Sequence, residues 1–318
     1  MSGLNLLVTD SDPEVESYFA ENATDLSPKF LRGPLTEEIA AEVRDTDVLC
    51  VDITTTITAS LLHQLPKLKF ICTRSTGYDH IDLDEAERRG ITVSNVVGYG
   101  TLPVPEHTFA LLLSLLRKVR EADRRVREGN FDYHGLMGTQ VFGRTFGVLG
   151  TGAIGSRVAE IALAMGARVM AYDLVRNRSL EEKGVVYASL EEVLRSSDFI
   201  SVNLPLLPST RHVIDGRMLA LVKRGAFLVN TGRGGVVDEE ALVEALRDGR
   251  LAGAALDVFE REPPSGELLA LDNVVLSPHI GWYTDAGFAE IMRQTIENVR
   301  AFMSGKPVRV VKSERRSN

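Results

Sequence analysis

Residues 150–155 hold three glycines spaced Gly-x-Gly-x-x-Gly, directly after the apolar run 146–149 and directly before a helical pattern. In this setting Gly150 allows a tight turn from strand to helix. Gly152 lets the backbone approach a pyrophosphate, and Gly155 lets the helix pack closely on the strand. The helix N-terminus offers N–H groups and positive dipole charge to that pyrophosphate. The pattern predicts a dinucleotide-binding α/β unit, the alternative being a glycine-rich turn in another kind of α/β domain.

A second strand follows the predicted helix and supports the same interpretation. Gly166 stands where the residue after a helix belongs, and residues 167–172 form an apolar strand pattern. Asp173 ends this strand about 20 residues past the glycines, where a carboxylate can accept hydrogen bonds from the ribose hydroxyls of NAD. NAD is therefore the predicted cofactor, and Asp173 is expected to repel the 2′-phosphate of NADP.

Length and charge exclude several classes of protein. A chain of 318 residues favours about two domains. The net charge of −8 argues against a nucleic-acid or membrane partner, and no apolar run reaches the ~18 residues of a membrane span. The first residues lack the pattern of a signal peptide. Cys50 and Cys72 lie in apolar runs and are expected to be buried free thiols. These features suit a cytoplasmic enzyme.

Along the chain, the first hundred residues alternate strand and helix patterns, which predicts a small parallel α/β domain. This part has no glycine-rich phosphate loop, so it should hold something other than the cofactor. One long helix is predicted from Pro103 to about Glu128, followed by a connector over residues 129–143 and further α/β units. The last predicted element is a helix over residues 286–302, with a short and mostly polar stretch after it.

Four polar residues follow predicted strands in the second half: Arg233, Asp257, Glu262 and His279. Ligands of open α/β sheets bind beyond the carboxyl ends of the strands. An arginine in a glycine-rich turn can clamp a carboxylate, and a histidine at a strand end can act as an acid or base. Spacing alone favours the simpler interpretation, in which His279 is a loop histidine and Arg233 and Glu262 are surface charges.

The other histidines receive no functional role from the sequence. His63, His107, His134 and His212 have no acidic partner at a useful spacing, and His80 is expected to shape a turn. There is no cluster with metal-ligand spacing and no nucleophilic triad, so no metal is predicted.

Five segments together form a specific pattern: residues 75–82, 150–155 with Asp173, 230–238, 255–263 and 277–281. On these segments the chain resembles the D-isomer-specific 2-hydroxyacid dehydrogenase family over roughly residues 65–305. The resemblance implies two Rossmann-like or flavodoxin-like parallel-sheet α/β domains, with the cofactor domain inserted in the substrate domain. The substrate domain would comprise residues 1–100 plus 287–318 and the NAD-binding domain residues 101–286, with the active site in the cleft between them.

The resemblance also implies residue roles. Arg233 would clamp the substrate carboxylate, His279 would be the acid/base, Glu262 would be its partner, and the N–H groups of Thr76 and Gly77 would assist the clamp. Further residues would contact the cofactor: Val104, Ala153, Ile154, Pro205, Thr210, Thr231, Gly232, Asp257 and Gly281.

Two departures from the family pattern concern specificity. Pro105 stands where the family usually has alanine, which removes an N–H at the start of the long helix. Trp282 and Tyr283 replace the commoner small residues after the histidine, and with Tyr99 they resemble the D-lactate dehydrogenase branch. Trp282 and Tyr99 are accordingly expected to wall the substrate pocket, the alternative for Trp282 being a packed interdomain aromatic.

The sequence therefore predicts an NADH-dependent reductase of a small 2-oxoacid, of D-lactate dehydrogenase type. The alternatives are a glyoxylate, hydroxypyruvate or phosphite enzyme of the same family, or an NAD-sensing interaction protein without activity. A formate dehydrogenase is disfavoured by Glu262, because that branch has glutamine there. A phosphoglycerate dehydrogenase with a regulatory tail is disfavoured by the short stretch after the last helix. A homodimer through the helix at residues 103–128 and the connector that follows it is expected.

Overall fold

The computed structural model describes residues 4–313 of the chain. They divide into two compact units: unit 1 runs up to Tyr99 and resumes at Thr284, and unit 2 runs from Gly100 to Tyr283. Residues 1–3 and 314–318, the outer ends of the predicted substrate domain, lie outside the described residues. Between residues 4 and 313, no helix combines the length and apolar character needed to cross a membrane.

The first part of unit 1 alternates strands and helices, as predicted. The strands are β1 (Leu6–Val8), β2 (Lys29–Phe30), β3 (Val48–Val51), β4 (Phe70–Thr73) and β5 (Thr92–Ser94). The helices are α1 (Pro13–Asn22), α2 (Glu37–Ala40, continued by a 3-10 turn at Ala41–Val43), α3 (Ala59–Gln64) and α4 (Leu83–Arg88). Asp12, Thr58 and Asp82 cap α1, α3 and α4 by accepting a backbone N–H of the first turn.

Unit 2 begins with two helices and continues with a strand–helix series. The helices are α5 (Pro103–Leu116), α6 (Val119–Arg127), α7 (Ala153–Ala164), α8 (Arg178–Glu182), α9 (Leu190–Ser196), α10 (Gly216–Leu221) and α11 (Glu239–Arg247). The strands are β6 (Thr145–Leu149), β7 (Arg168–Tyr172), β8 (Val186–Tyr187), β9 (Phe199–Val202), β10 (Ala226–Asn230), β11 (Leu251–Leu256) and β12 (Val274–Leu276). Ser189 and Glu192 form a capping box at the start of α9.

The chain then returns to unit 1 with α12 (Asp285–Met303) and β13 (Val310–Val311). The expectation of no element after the last helix was wrong, because β13 pairs antiparallel with β5, with Val310 opposite Ser94. The Ser94 hydroxyl donates to the Val308 carbonyl oxygen at 2.7 Å and holds the approach to this strand. A strand of two residues has no readable period, so only its partner edge reveals it.

Each unit is built on its own sheet. The unit 1 sheet has the order β13-β5-β4-β3-β1-β2, parallel except at β13. The unit 2 sheet has the order β12-β11-β10-β9-β6-β7-β8 and is parallel throughout. β3 and β4 in unit 1, and β6 and β9 in unit 2, are buried along their whole length, as expected for parallel sheets covered on both faces. The predicted α/β class with two parallel-sheet domains is confirmed.

The predicted long helix over residues 103–128 is two helices. Lys118, between α5 and α6, has φ +52° and ψ +38°, the left-handed conformation that no residue adopts inside a right-handed helix. The Leu116 carbonyl oxygen accepts the N–H of Thr139, and the Lys118 ammonium donates to the Gly135 carbonyl oxygen. The connector therefore folds back on the end of α5 and takes the bonds that would continue the helix.

Candidate active site

The three glycines of the Gly-x-Gly-x-x-Gly motif, Gly150, Gly152 and Gly155, have different surroundings in unit 2. Gly150 has φ +90°, and a Cβ there would lie 2.8 Å from the Asn203 carbonyl oxygen. A Cβ on Gly155 would lie 1.9 Å from the Gly150 carbonyl oxygen, which leaves no room for a side chain. A Cβ on Gly152 would meet nothing within 4 Å. The loop is thus tight at both ends and open in the middle, as a backbone that receives a pyrophosphate must be.

The position of this loop in the sheet fits a dinucleotide. The strand order reverses between β6 and β9, and Gly150 directly follows β6. Ligands of open α/β sheets bind at such a switch point. Gly152 is the N-cap of α7, whose first turn begins with the predicted contact residues Ala153 and Ile154. The first N–H groups of a helix have no partner inside the helix, so this turn can donate to phosphate oxygens.

Asp173 lies at the end of β7 and also holds the glycine loop. Its Oδ2 accepts the N–H of Thr151 at 2.6 Å and the Thr151 hydroxyl at 3.1 Å, and its Oδ1 accepts the N–H of Val175 at 3.2 Å. Partial burial alone would raise the pKa of Asp173, but these hydrogen bonds outweigh it and lower the pKa. Asp173 is therefore a carboxylate, with the negative charge that a 2′-phosphate would meet.

The other predicted cofactor residues of unit 2 lie near the same strand ends. Pro205 and Thr210 belong to the loop after β9, where the Thr210 hydroxyl donates to the Pro205 carbonyl oxygen at 2.6 Å. Val104 is buried in the first turn of α5. Thr231 follows β10, and its hydroxyl lies 2.7 Å from that of Thr108 in α5.

Arg233 is carried by a turn that Asn230 braces. The Asn230 amide accepts the Gly232 N–H at 3.0 Å and donates to the Arg233 carbonyl oxygen at 3.1 Å. A Cβ on Gly234 would lie 1.9 Å from the Phe259 carbonyl carbon and oxygen, so this turn packs against the segment after β11. The glycines therefore bring the arginine turn against the chain that leads to Glu262.

His279 and Glu262 form the predicted pair. The Nδ1 atom of His279 lies 2.9 Å from Oε2 and 3.1 Å from Oε1 of Glu262. Glu262 Oε1 also accepts the Phe259 N–H at 3.2 Å, which fixes the direction of the carboxylate. A carboxylate on Nδ1 selects the tautomer with the proton there and directs Nε2 away from Glu262. The pair has the geometry of an oriented acid–base histidine.

Asp257 is buried directly after β11 and holds the histidine loop. Its Oδ1 accepts the Ser277 hydroxyl at 2.6 Å and the Ile280 N–H at 2.9 Å, and its Oδ2 accepts the Gly281 N–H at 2.7 Å. Burial alone would raise its pKa, but hydrogen bonds from His107, Ser277 and these two N–H groups lower the pKa to about 2. The predicted contact residues Asp257 and Gly281 are thus bonded to each other.

Four histidines without a role in the sequence do have acidic neighbours. His107 Nε2 lies 3.3 Å from Asp257 Oδ1, and His63 lies near Glu85, His134 near Asp132 and His212 near Glu260. The expectation that these histidines lack acidic partners was therefore wrong. For His107 the spacing could not reveal the partner, because 150 positions of chain separate it from Asp257. His80 lies 3.1 Å from the Thr73 hydroxyl, in keeping with a turn-shaping role.

The predicted substrate residues of unit 1 form one hydrogen-bonded group. The Thr76 N–H donates to the Tyr99 hydroxyl at 3.3 Å, and the Asn95 amide donates to the Thr76 carbonyl oxygen at 2.9 Å. The Ser75 hydroxyl donates to the Gly77 carbonyl oxygen at 2.6 Å. These bonds hold the 75–77 turn after β4, and they place Tyr99 beside the Thr76 N–H.

Trp282 lies near the end of unit 2, beside Tyr283. The two rings meet edge to face, with centroids 5.1 Å apart. Trp282 is half-buried and Tyr283 is exposed. The loop after His279 therefore carries two aromatic rings in contact with each other.

Unit 2 combines a Rossmann-type sheet, a glycine loop where the strand order reverses, and Arg, Glu and His beyond neighbouring strands. This combination is typical of an NAD-dependent dehydrogenase. The family model described as D-isomer specific 2-hydroxyacid dehydrogenase, NAD binding domain, matches residues 109–281. A glyoxylate reductase of Korarchaeum cryptofilum is 43% identical over 88% of this chain and 87% of the relative. A D-lactate dehydrogenase of Curvularia clavata is 37% identical over 87% of this chain and 84% of the relative.

Among solved structures, a D-lactate dehydrogenase from Aquifex aeolicus complexed with NAD and lactic acid is 37% identical to this chain. The two structures match with a TM-score of 0.88. The match covers 95% of this chain and 96% of the Aquifex aeolicus chain. The chain belongs to the D-isomer specific 2-hydroxyacid dehydrogenase family. It is an NAD-dependent dehydrogenase, and the open position of Gly152 fits that cofactor.

Proposed function

We propose that this chain reduces a small 2-oxoacid to the D-2-hydroxy acid, with pyruvate as the first candidate substrate. The observation that carries the proposal is the His279–Glu262 pair, with Nδ1 held 2.9 Å from the carboxylate. Bound NADH supplies the hydride that the keto carbon accepts. His279 donates the proton that the keto oxygen needs, from Nε2, and the product leaves as the alcohol.

The other residues bind and stabilise charge. Arg233 holds the substrate carboxylate through paired N–H donors and, with the protonated His279, stabilises the negative charge that develops on the keto oxygen. Glu262 balances the charge of the imidazolium. We also assign the N–H groups of Thr76 and Gly77 to the substrate carboxylate, on the family resemblance.

The choice of pyruvate rests on the aromatic pair after His279. Trp282 and Tyr283 offer apolar surface that suits a methyl group better than hydrogen. Glyoxylate is the second candidate, because relatives named glyoxylate reductase reach 44% identity, against 37% for a relative named D-lactate dehydrogenase.

A panel of 2-oxoacids with NADH tests both. We expect kcat/KM for pyruvate to exceed that for glyoxylate, and Trp282→Ala to shift the preference toward bulkier oxoacids. A higher kcat/KM for glyoxylate would make glyoxylate the substrate and leave Trp282 with a packing role. No turnover with any 2-oxoacid would favour an NAD-sensing protein instead.

Cofactor choice is tested in the same assay. The Asp173 carboxylate, hydrogen-bonded within the glycine loop, should repel a 2′-phosphate, so we expect NADH to be preferred over NADPH by at least about tenfold. Arg176 is largely exposed and lies 3.8 Å from Glu181, which draws it away from a phosphate. Equal kcat/KM for the two cofactors would remove Asp173 from this role.

We further propose a homodimer in the cytoplasm. The connector after α6 exposes large apolar side chains, with Phe131 at 90% and Met137 at 89% exposure. Exposed apolar groups of this kind mark a surface that another chain covers. Cys50 and Cys72 are buried free thiols, which suits a reducing compartment. Light scattering at micromolar concentration should give the dimer mass, and a monomer mass would contradict the proposal.

A further inference from the structure

His107 lies on α5, far along the chain from the residues that it contacts. Its side chain is 20% exposed, and Nε2 lies 3.0 Å from the Ser277 hydroxyl and 3.3 Å from Asp257 Oδ1. No role follows for His107 from the fold, because α5 would pack on the sheet through its apolar residues alone. The contact therefore needs its own explanation.

The donors and acceptors among His107, Ser277 and Asp257 follow from the number of protons that each group has. Ser277 has one hydroxyl proton, and the 2.6 Å distance to Asp257 Oδ1 shows that the carboxylate receives it. The Ser277 oxygen can then only accept from His107, so Nε2 of His107 carries a proton. His107 is the outermost donor of a chain of bonds that ends on Asp257.

The loop that Asp257 holds is the one that carries His279. The Asp257 carbonyl oxygen accepts the His279 N–H at 2.9 Å, and its carboxylate accepts the N–H groups of Ile280 and Gly281. His279 itself has φ +57°, a left-handed conformation that costs a non-glycine residue free energy. The neighbouring bonds to Asp257 offset that cost and hold the loop in this conformation.

We propose that His107 is a positioning residue for His279, acting through Ser277 and Asp257. The inference rests on the proposed function, in which His279 donates the proton. Without the Nε2 donor, the Asp257 carboxylate can turn toward other donors, and the two loop N–H groups lose their fixed acceptor. His279 then samples orientations in which Nε2 does not face the keto oxygen.

The test compares two variants of His107, one without and one with an N–H donor. His107→Phe keeps a planar ring but has no N–H, whereas His107→Gln offers an amide N–H at a similar reach. We expect kcat for the oxoacid to fall about tenfold or more in His107→Phe and to stay within about threefold of wild type in His107→Gln. His63→Phe, which removes a histidine beside Glu85 in unit 1, is the matched control and should leave kcat unchanged.

A second readout needs no turnover. Amide hydrogen exchange at Ile280 and Gly281, measured on the apoenzyme, should be faster in His107→Phe and close to wild type in His107→Gln. If wild type turns over no oxoacid, the proposed function fails, while this exchange measurement still decides whether His107 holds the loop.

Two results would overturn the inference. One is exchange and kcat in His107→Phe equal to wild type; the other is an equal loss in His107→Phe and His107→Gln, which would indicate packing alone. If His107→Phe does not fold, Ser277→Ala breaks the same chain of bonds. It should also speed exchange at Ile280 and lower kcat, and unchanged values there would equally reject the proposal.

Discussion

Each unit has a parallel sheet with one point at which the strand order reverses, and the residues at that point differ between the two units. In unit 2 the strand order reverses between β6 and β9. The loop at this point is glycine-rich, and the space beside its middle glycine, Gly152, is open. In unit 1 the strand order reverses between β1 and β3, and the corresponding place is filled by side chains. Asp10 accepts the hydroxyls of Thr9, Thr54 and Thr55 there.

Arg74 completes the filling of unit 1. It is buried after β4, and its guanidinium donates to the carbonyl oxygens of Thr9 and Asp10 at 2.9 and 3.1 Å. The Asp10 carboxylate and the Arg74 guanidinium thus bond the residues around the end of β1 to one another. Topology thus supplies the location in both sheets, whereas the presence or absence of a Cβ decides whether backbone binds a ligand there.

The largest expected effect belongs to the acid–base group of unit 2. His279→Gln should lower kcat by about 10²–10⁴-fold, because the proton donor is lost, while the dissociation constant of NADH changes little. Arg233→Gln should raise KM for the oxoacid as well as lower kcat, because a carboxylate clamp acts in both the ground and transition states. Steady-state kinetics with NADH fluorescence titration separates these effects, and an NADH affinity lost in His279→Gln would contradict the assignment.

Two glycine variants of the unit 2 loop sharpen the contrast. Gly152→Ala should weaken NADH binding about tenfold or more with stability changed by less than about 0.5 kcal/mol, because its Cβ meets only the space for the ligand. Gly155→Ala should destabilise the fold by about 2–3 kcal/mol, because its Cβ overlaps the Gly150 carbonyl. Urea unfolding and NADH titration of both variants check this, and a reversed pattern would break the assignment of the loop.

The buried carboxylate behind the histidine loop makes stability depend on pH. Asp257 has a pKa of about 2, below its ordinary value of 3.8, so its contribution is present above about pH 4 and is lost as pH falls through 2. Between pH 5 and pH 2, wild type should therefore lose about 2 kcal/mol more stability than Asp257→Asn. Urea unfolding at pH 6 gives the pH-independent cost of the variant, and parallel pH curves would show that the hydrogen bonds do not favour the charged form.

The smallest effect is expected in unit 1. Thr55→Val removes a buried hydroxyl that donates to Asp10 and accepts the Leu35 N–H at 3.0 Å. We expect a loss of about 1–2 kcal/mol in the free energy of unfolding, with NADH affinity unchanged. A weakened NADH affinity in Thr55→Val, similar to that of Gly152→Ala, would break the comparison between the two sheets.

Much of the molecule was predictable because the relevant physics is local. Gly166 ends α7 with positive φ, as its position indicated. Gly90 and Gly249 end α4 and α11 in the same way, and Asp215 caps α10 through the Met218 N–H at 3.0 Å. Such features depend on neighbouring φ and ψ angles and on hydrogen bonds within one turn. The roles of the candidate site residues came from the resemblance together with their places beyond strand ends, and they remain predictions.

Contacts between distant parts of the chain could not be predicted in the same way. The sequence shows His107 as an isolated histidine on a helix, and only the packing of α5 beside β11 and β12 brings it to Asp257 and Ser277. The break at Lys118 has the same origin, since the bond that replaces the helix comes from Thr139 in the connector.

By itself the sequence determined the alternation of strands and helices, the glycine loop, the caps and the cofactor class, because each depends on residue type within a short window. Tertiary structure alone decided that β13 closes the edge of the unit 1 sheet, that α5 stops at Leu116, and that His107 supports the loop of His279. These outcomes depend on which backbone and side-chain donors meet which acceptors after folding, and no short window of sequence holds both partners.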